Sequence, residues 1–189
     1  MRTTVTIMTF LLLFVDRKAM EINMDGIVQS IVGALSGKIS SEIIVFLVSM
    51  IPLLELRGSI LAAGFMQTTF LPTYIAAVLG NMLPIPFILI FITKIFELME
   101  KIKYLEKIPK KIKEKAMSKS EQIEKYGYFG LFLFVAIPLP GTGAWTGSLL
   151  AVLLGLKKGK SLLAILLGVM TAGLIMSLIA FGVIQNIIN

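Results

Sequence analysis

The chain has 189 residues, of which 57% are hydrophobic, with a mean hydropathy of +0.91 and a formal charge of +7. That apolar share exceeds the roughly 45–50% of soluble domains, so the sequence reads as an all-α integral membrane protein, one bundle that a second copy could complete as a homo-oligomer. It has neither cysteine nor histidine, which excludes disulfides, thiolate nucleophiles, Cys/His zinc centres and imidazole bases; no metal or cofactor is expected.

Thr4 to Val15 is an apolar run behind Arg2, shorter than the roughly 20 residues a span needs, and residues 1–24 are read without a role: a signal-like anchor, an interfacial helix or a mis-chosen start. Asp25 to Ser36 repeats apolar residues at Ile27, Ile31, Val32 and Leu35, which predicts an amphipathic surface helix with Asp25 as N-cap. Residues 43–66 are a hydrophobic segment broken by Pro52, Gly58 and Gly64, and 72–98 predict a long apolar helix with Pro84 and Pro86 inside. Residues 99–127 are basic: Lys101 to Lys125 holds nine lysines against four glutamates, with a weak helical stripe of Ile112, Ala116 and Ile123 after a break at Pro109. A nucleic-acid reader would want arginines and interleaved aromatics, so no nucleic acid is expected. The stretch reads as a cytoplasmic loop carrying the positive-inside signal, or as a contact for anionic headgroups. Residues 128–156 form a second broken segment, and 161–187 a final clean span.

The two broken segments are copies of one another. IPLLELRGSILA at 51–62 matches IPLPGTGAWTGSLLA at 137–151, and AAVLGNM at 76–82 matches AILLGVM at 164–170. The unit is a broken segment followed by a helix, used in residues 25–98 and again in 128–189. If both broken segments crossed the membrane, the 101–125 lysines and the cluster Lys157, Lys158 and Lys160 would fall on opposite faces, against the positive-inside rule. Re-entrant hairpins at 43–66 and 128–156 put both clusters in the cytoplasm, with Gln67 to Thr69 and the tail 185–189 outside. One crossing per unit makes the second copy inverted, as in many transporters. Irregular backbone is tolerated in a bilayer only beside protein or a wet cavity, so the two tips are expected to share one.

Glu55 and Arg57 stand where an ordinary span would hold neither. A carboxylate at membrane depth costs about 2.5 kcal/mol or more, so it must be paired, hydrated or protonated. Burial opposes its charged form and Arg57 favours it, a competition that lets a proton and a substrate alternate on one site. Glu55 is therefore the expected proton-coupling acid and Arg57 the anion contact. Pro52, Gly58, Asn81, Pro140, Gly141, Thr142, Gly143, Trp145, Thr146 and Gly147 are expected to complete the substrate lining; Asn81 and Trp145 could equally pack. The only aspartates, Asp16 and Asp25, precede the hydrophobic core, which argues against an intramembrane aspartyl protease and an enzyme generally.

IPLLELRGS and IPLPGTGAWTGSLLAVLLG resemble the hairpins of the small multidrug export protein family, a branch of the DedA and VTT group, over roughly Glu42 to the C-terminus. The resemblance implies two inverted re-entrant hairpins between transmembrane helices and a protonatable acid at Glu55. It implies a multi-pass plasma-membrane transporter, a proton-coupled flippase for a lipid-linked anion such as a polyprenyl phosphate. The arginine that DedA relatives carry in the second hairpin is absent; Thr142, Trp145 and Thr146 occupy that region, so Arg57 would serve instead. The partners expected are therefore the lipid bilayer, protons and an anionic lipid or small-molecule substrate. Efflux of small cationic drugs, or a non-transporting scaffold or assembly factor, are the alternatives.

Overall fold

The computed structural model describes residues 39–66, 68–102, 105, 107–139 and 141–184, and among these the chain is helical with no strand. The readings placed on 1–24, on 25–36, on Gln67 and on the tail 185–189 lie outside the described residues.

Helices α1 (Ser41–Ser49) and α2 (Glu55–Phe65) flank a break at residues 50–54. Pro52 lies in it, lacking an N–H and disfavouring a helical Ile51, so the chain leaves the first helix there. Helices α3 (Phe70–Met82) and α4 (Ile85–Glu100) follow as a 31-residue apolar stretch. The expected single helix divides at Leu83 and Pro84; Pro86 then sits in the first turn of α4, where no helical donor is lost. Helix α5 (Lys107–Met117) carries lysines outward and buries Pro109, Ile112 and Ala116. Pro109 does not break this helix. It lies in the first turn, where its missing N–H has no helical partner to lose.

Helix α6 (Glu121–Ala136) and α7 (Ala144–Leu153) flank the second break at 137–143, and α8 (Lys158–Ile179) runs into a π-helical turn, Ala180–Ile184. Helix α6 is two pieces: Gly127, at φ +59° and ψ −129°, turns the chain so that residues 121–126 fold back against Gly130. Only glycine adopts that conformation without a steric penalty.

Order of elements is thus the same twice: short helix, break, short helix, long apolar helix. One duplicated glycine does the same work in both. A Cβ on Gly80 of α3 would collide with the Phe46 carbonyl of α1; one on Gly168 of α8 would stand 2.9 Å from the Phe132 carbonyl of α6. Between apolar helices in lipid there is no hydrophobic drive to associate, so close approach at small residues supplies the packing.

Helix α8 is the spine. At its start the Lys157 N–H donates to the Tyr128 hydroxyl (3.0 Å), and at its end Gly64 lies against Ala180. Along its middle, Gly168 takes Val135 and Gly173 takes Leu56 and Tyr74. Helix α2 therefore lies along the C-terminal half of α8, with α3 beside it, and α6 along the N-terminal half. The outer faces are apolar: Leu71, Ile75, Leu79, Leu83 and Phe87 form one exposed stripe, and Leu163, Leu167, Leu174 and Leu178 another. Exposed apolar stripes of this length, on helices of 31 and 25 residues, belong against lipid.

Candidate functional site

The two breaks meet. Glu55 begins α2 with φ +48°, a left-handed conformation rare for a side-chain-bearing residue, and its side chain is 5% exposed. Its carboxylate accepts from the backbone N–H groups of Trp145 (3.1 Å) and Ala144 (3.3 Å), the first two residues of α7. Those donors have no carbonyl partner within their own helix, and the helix dipole there favours negative charge. Gly143 precedes them at φ +137°, and a Cβ on it would collide with the Glu55 carboxylate. Glycine is thus demanded here twice, by conformation and by the close approach of the acid.

Arg57 makes the complementary contact. Its Nη1 donates to the Leu139 carbonyl (2.7 Å), and its Nη2 to Thr142 Oγ1 (3.1 Å) and to the carbonyls of Val135 and Ile137 (3.3 Å each). These acceptors belong to the last turn of α6 and the loop beyond it, where carbonyls run out of helical donors. Among the described residues no direct ion pair joins Glu55 to Arg57. Each instead neutralises one end of the broken α6–α7 pair: the acid at the positive end of α7, the guanidinium at the negative end of α6. The Arg57 Nε is buried and makes no hydrogen bond.

A second cation reaches the same loop from outside. Lys119, between α5 and α6, donates from Nζ to the Gly141 carbonyl (2.7 Å), and Gly141 is exposed at φ +75°. The fold-back at Gly127 is what brings Lys119 there.

The structure brings together Glu55, Arg57, Gly141, Thr142, Gly143 and the Trp145 amide. The Trp145 side chain is half-buried against the main core. Pro52 is buried inside the first break, and Gly58 lies on α2 against Leu54 of its own turn. Thr146 and Gly147 are buried on α7, with Gly147 seated on Val135 and Leu131. Asn81 is buried at the end of α3, and neither its Nδ2 nor its Oδ1 makes a hydrogen bond. Pro140 lies outside the described residues. Sequence reading missed Lys119, one lysine among nine, and the carbonyls of Val135, Ile137 and Leu139, since any residue supplies such an acceptor. Also unforeseen was the buried hydroxyl pair Ser49 and Ser59, 2.5 Å apart between α1 and α2.

Chemically, the junction can exchange charge for charge: an acid leaving the α7 amides uncovers two donors, and a guanidinium leaving the break uncovers three carbonyls. A family model described as "Putative small multi-drug export protein" matches residues 55–175, from Glu55 into α8. No curated protein and no solved structure matches the chain.

Proposed function

The chain belongs to this small multi-drug export family, a family of membrane proteins, and from that premise we propose that it is a proton-coupled transporter whose substrate site is the junction of the two breaks. One observation carries the reading: the only charges in the first hairpin, Glu55 and Arg57, are spent on the open helix ends of the second. A carboxylate and a guanidinium held in this way are costly in a bilayer unless they exchange partners with a cargo.

In this reading each break is the tip of a re-entrant hairpin. Helices α1, α2 and α7 have 9, 11 and 10 residues, roughly 14–17 Å each at 1.5 Å per residue, which is half a bilayer. The opposite placement of the two hairpins along α8 supports an inverted repeat, with one crossing at 70–100 and one at 158–182. The lysines of 99–127 and Lys157 to Lys160 then face the cytoplasm of a plasma membrane. The contact of Lys119 with Gly141 supports a cavity open towards that lysine-bearing face, and a homo-oligomer could shield its other sides.

The favoured cargo is a lipid-linked anion such as a polyprenyl phosphate, drawn by Arg57 and the basic face; Glu55 carries the proton. A cationic drug is the second reading, favoured by the buried acid and by the family's description. Purified protein in liposomes, loaded with fluorescent polyprenyl phosphate or a cationic dye, tests both. The lipid phosphate should move faster under a pH gradient, and Glu55→Gln should abolish that acceleration. Unchanged, still proton-dependent flux in Glu55→Gln would sink the coupling role, and absence of flux for either cargo would favour a scaffold.

A further inference from the structure

Building on the transport reading of the junction, we infer that the Glu55 carboxylate is a built-in pseudo-ligand: it occupies the α7 N-terminus in place of the anionic headgroup of the cargo, which binds there when Glu55 leaves.

Three features of the junction point this way. An anionic group already sits on the Ala144 and Trp145 amides, so the nest accepts a carboxylate-like anion at hydrogen-bonding distance. That anion arrives from another helix, 89 and 90 residues distant in sequence, rather than from a capping side chain on α7 itself, whose cap residue Gly143 has none to offer. The Arg57 Nε, a buried cationic N–H two residues from the acid, makes no hydrogen bond while Glu55 holds the amides. Two amides and an unsatisfied guanidinium N–H form a donor set suited to a phosphate or carboxylate, beside Thr142, whose hydroxyl proton is already given to the Leu139 and Ile137 carbonyls. The absence of a side chain at Gly143 is what leaves room for an acceptor on these amides, since a Cβ there would collide with the Glu55 carboxylate.

The exchange involves no bond to carbon. Glu55 takes up a proton, loses its attraction to the helix end, and the incoming anion accepts the two N–H groups it vacates. Among the described charged groups Arg57, on its own helix, is the one that bears on Glu55, while Lys119 is held on the Gly141 carbonyl; α1 carries Glu42 in its first turn, away from the break, and α6 carries Glu121, Glu124 and Lys125, all before its turn at Gly127. Helices α3 and α7 carry no charged side chain, and those of α8 are confined to its first turn at Lys158 and Lys160. Arg57 is never released in this scheme; it gains the anion as a further partner.

Equilibrium binding to the purified full chain in detergent, without any gradient, tests the exchange apart from transport. The probes are inorganic phosphate, farnesyl phosphate and farnesol. Farnesyl phosphate should bind the unaltered protein more tightly as pH falls from 8 to 5.5, because protonation of Glu55 empties the nest. Glu55→Gln should bind it at least about tenfold more tightly at pH 8, having lost the competing charge, and should show no tightening as pH falls. Farnesol should not respond. A matching response to inorganic phosphate assigns the site to any phosphate, its absence to a lipid phosphate. A structural acid predicts the reverse: weaker or unchanged binding in Glu55→Gln, and no tightening of the unaltered protein at low pH. Either result overturns the exchange, and the pH series on the unaltered protein decides the matter even if the variant fails to fold. Because cationic-dye flux is measured separately, loss of phosphate binding with flux intact would refute the exchange while leaving transport standing.

Discussion

The two breaks carry similar sequences but hold opposite halves of a single interaction. Residues 50–54 are lined by Pro52 and Leu54, both buried, and are followed by Glu55 and Arg57. Residues 137–143 offer no ionisable side chain; they offer backbone, with Thr142, positive φ at Gly141 and Gly143, and carbonyls at 137 and 139 turned to Arg57. A helix interrupted inside a membrane leaves unsatisfied donors on one side and acceptors on the other, and both must be met by protein. The first break supplies the charges that meet them. Division of labour of this kind means that damage to the first break should register as lost charge, and damage to the second as lost geometry.

Arg57→Met should break the comparison hardest. Its loss strips the guanidinium from the Leu139, Ile137 and Val135 carbonyls and leaves the buried Glu55 with only the α7 amides to balance its charge. Removing one partner from a buried charge network costs on the order of 3–5 kcal/mol, read as a large drop in unfolding temperature in detergent. Flux should vanish with it. Full stability in this variant would mean that the second break does not depend on the first.

Paired glycines give the next test. Gly143→Ala should lose about 1–3 kcal/mol from a strained left-handed backbone, and its Cβ should push Glu55 off the α7 amides as well, so proton dependence falls with stability. Gly58→Ala sits at ordinary helical φ, where its Cβ meets only Leu54 side-chain atoms at 3.0–3.1 Å. Alanine there regains up to about 1 kcal/mol of helix propensity against that crowding, so stability and flux should stay near those of the unaltered chain. Equal losses at both glycines, measured by thermal unfolding and dye or lipid flux, would erase the distinction between the hairpins.

Much of this arrangement was legible because membrane sequences are nearly monotone. Glu55 and Arg57 stand out against an apolar background, and the repeated Gly-Ser-x-Leu-Ala with its following Leu-Gly places both breaks and the long helices. Serine in that motif is buried in both copies, bonding back to the Leu56 and Ala144 carbonyls. What stayed hidden is whatever depends on backbone direction or on a reversal of the chain. Proline alone did not say that residues 83–84 would divide the long helix while Pro109 would start one; the difference lies in position within the turn, which periodicity resolves poorly. Gly127 looked like one more glycine in an apolar run, and without its turn no reading of the sequence could bring Lys119 to Gly141. Nor did the spacing reveal that Glu55 and Arg57 would part company, each to a different helix end, instead of pairing across the one residue that separates them.

Lys119 supplies the smallest expected effect and the sharpest one. It touches the second break from the lysine-bearing side, with a hydrogen bond to the exposed Gly141 carbonyl, whereas Arg57 holds the same loop from within by four. An exposed contact of this kind is worth less than about 1 kcal/mol, so Lys119→Met should leave the unfolding temperature almost unchanged and Glu55 still seated on α7. If the loop is only a structural turn, nothing further should follow. If the loop is the cytoplasmic mouth of the site, loss of the cation should weaken uptake of an anionic lipid while leaving a cationic dye unaffected or slightly favoured, and raising the salt should shrink the difference, because an exposed charge is screened more than the half-buried Arg57. Salt-independent flux, equal for both cargoes, would place the mouth elsewhere and leave Lys119 as a clip on the turn.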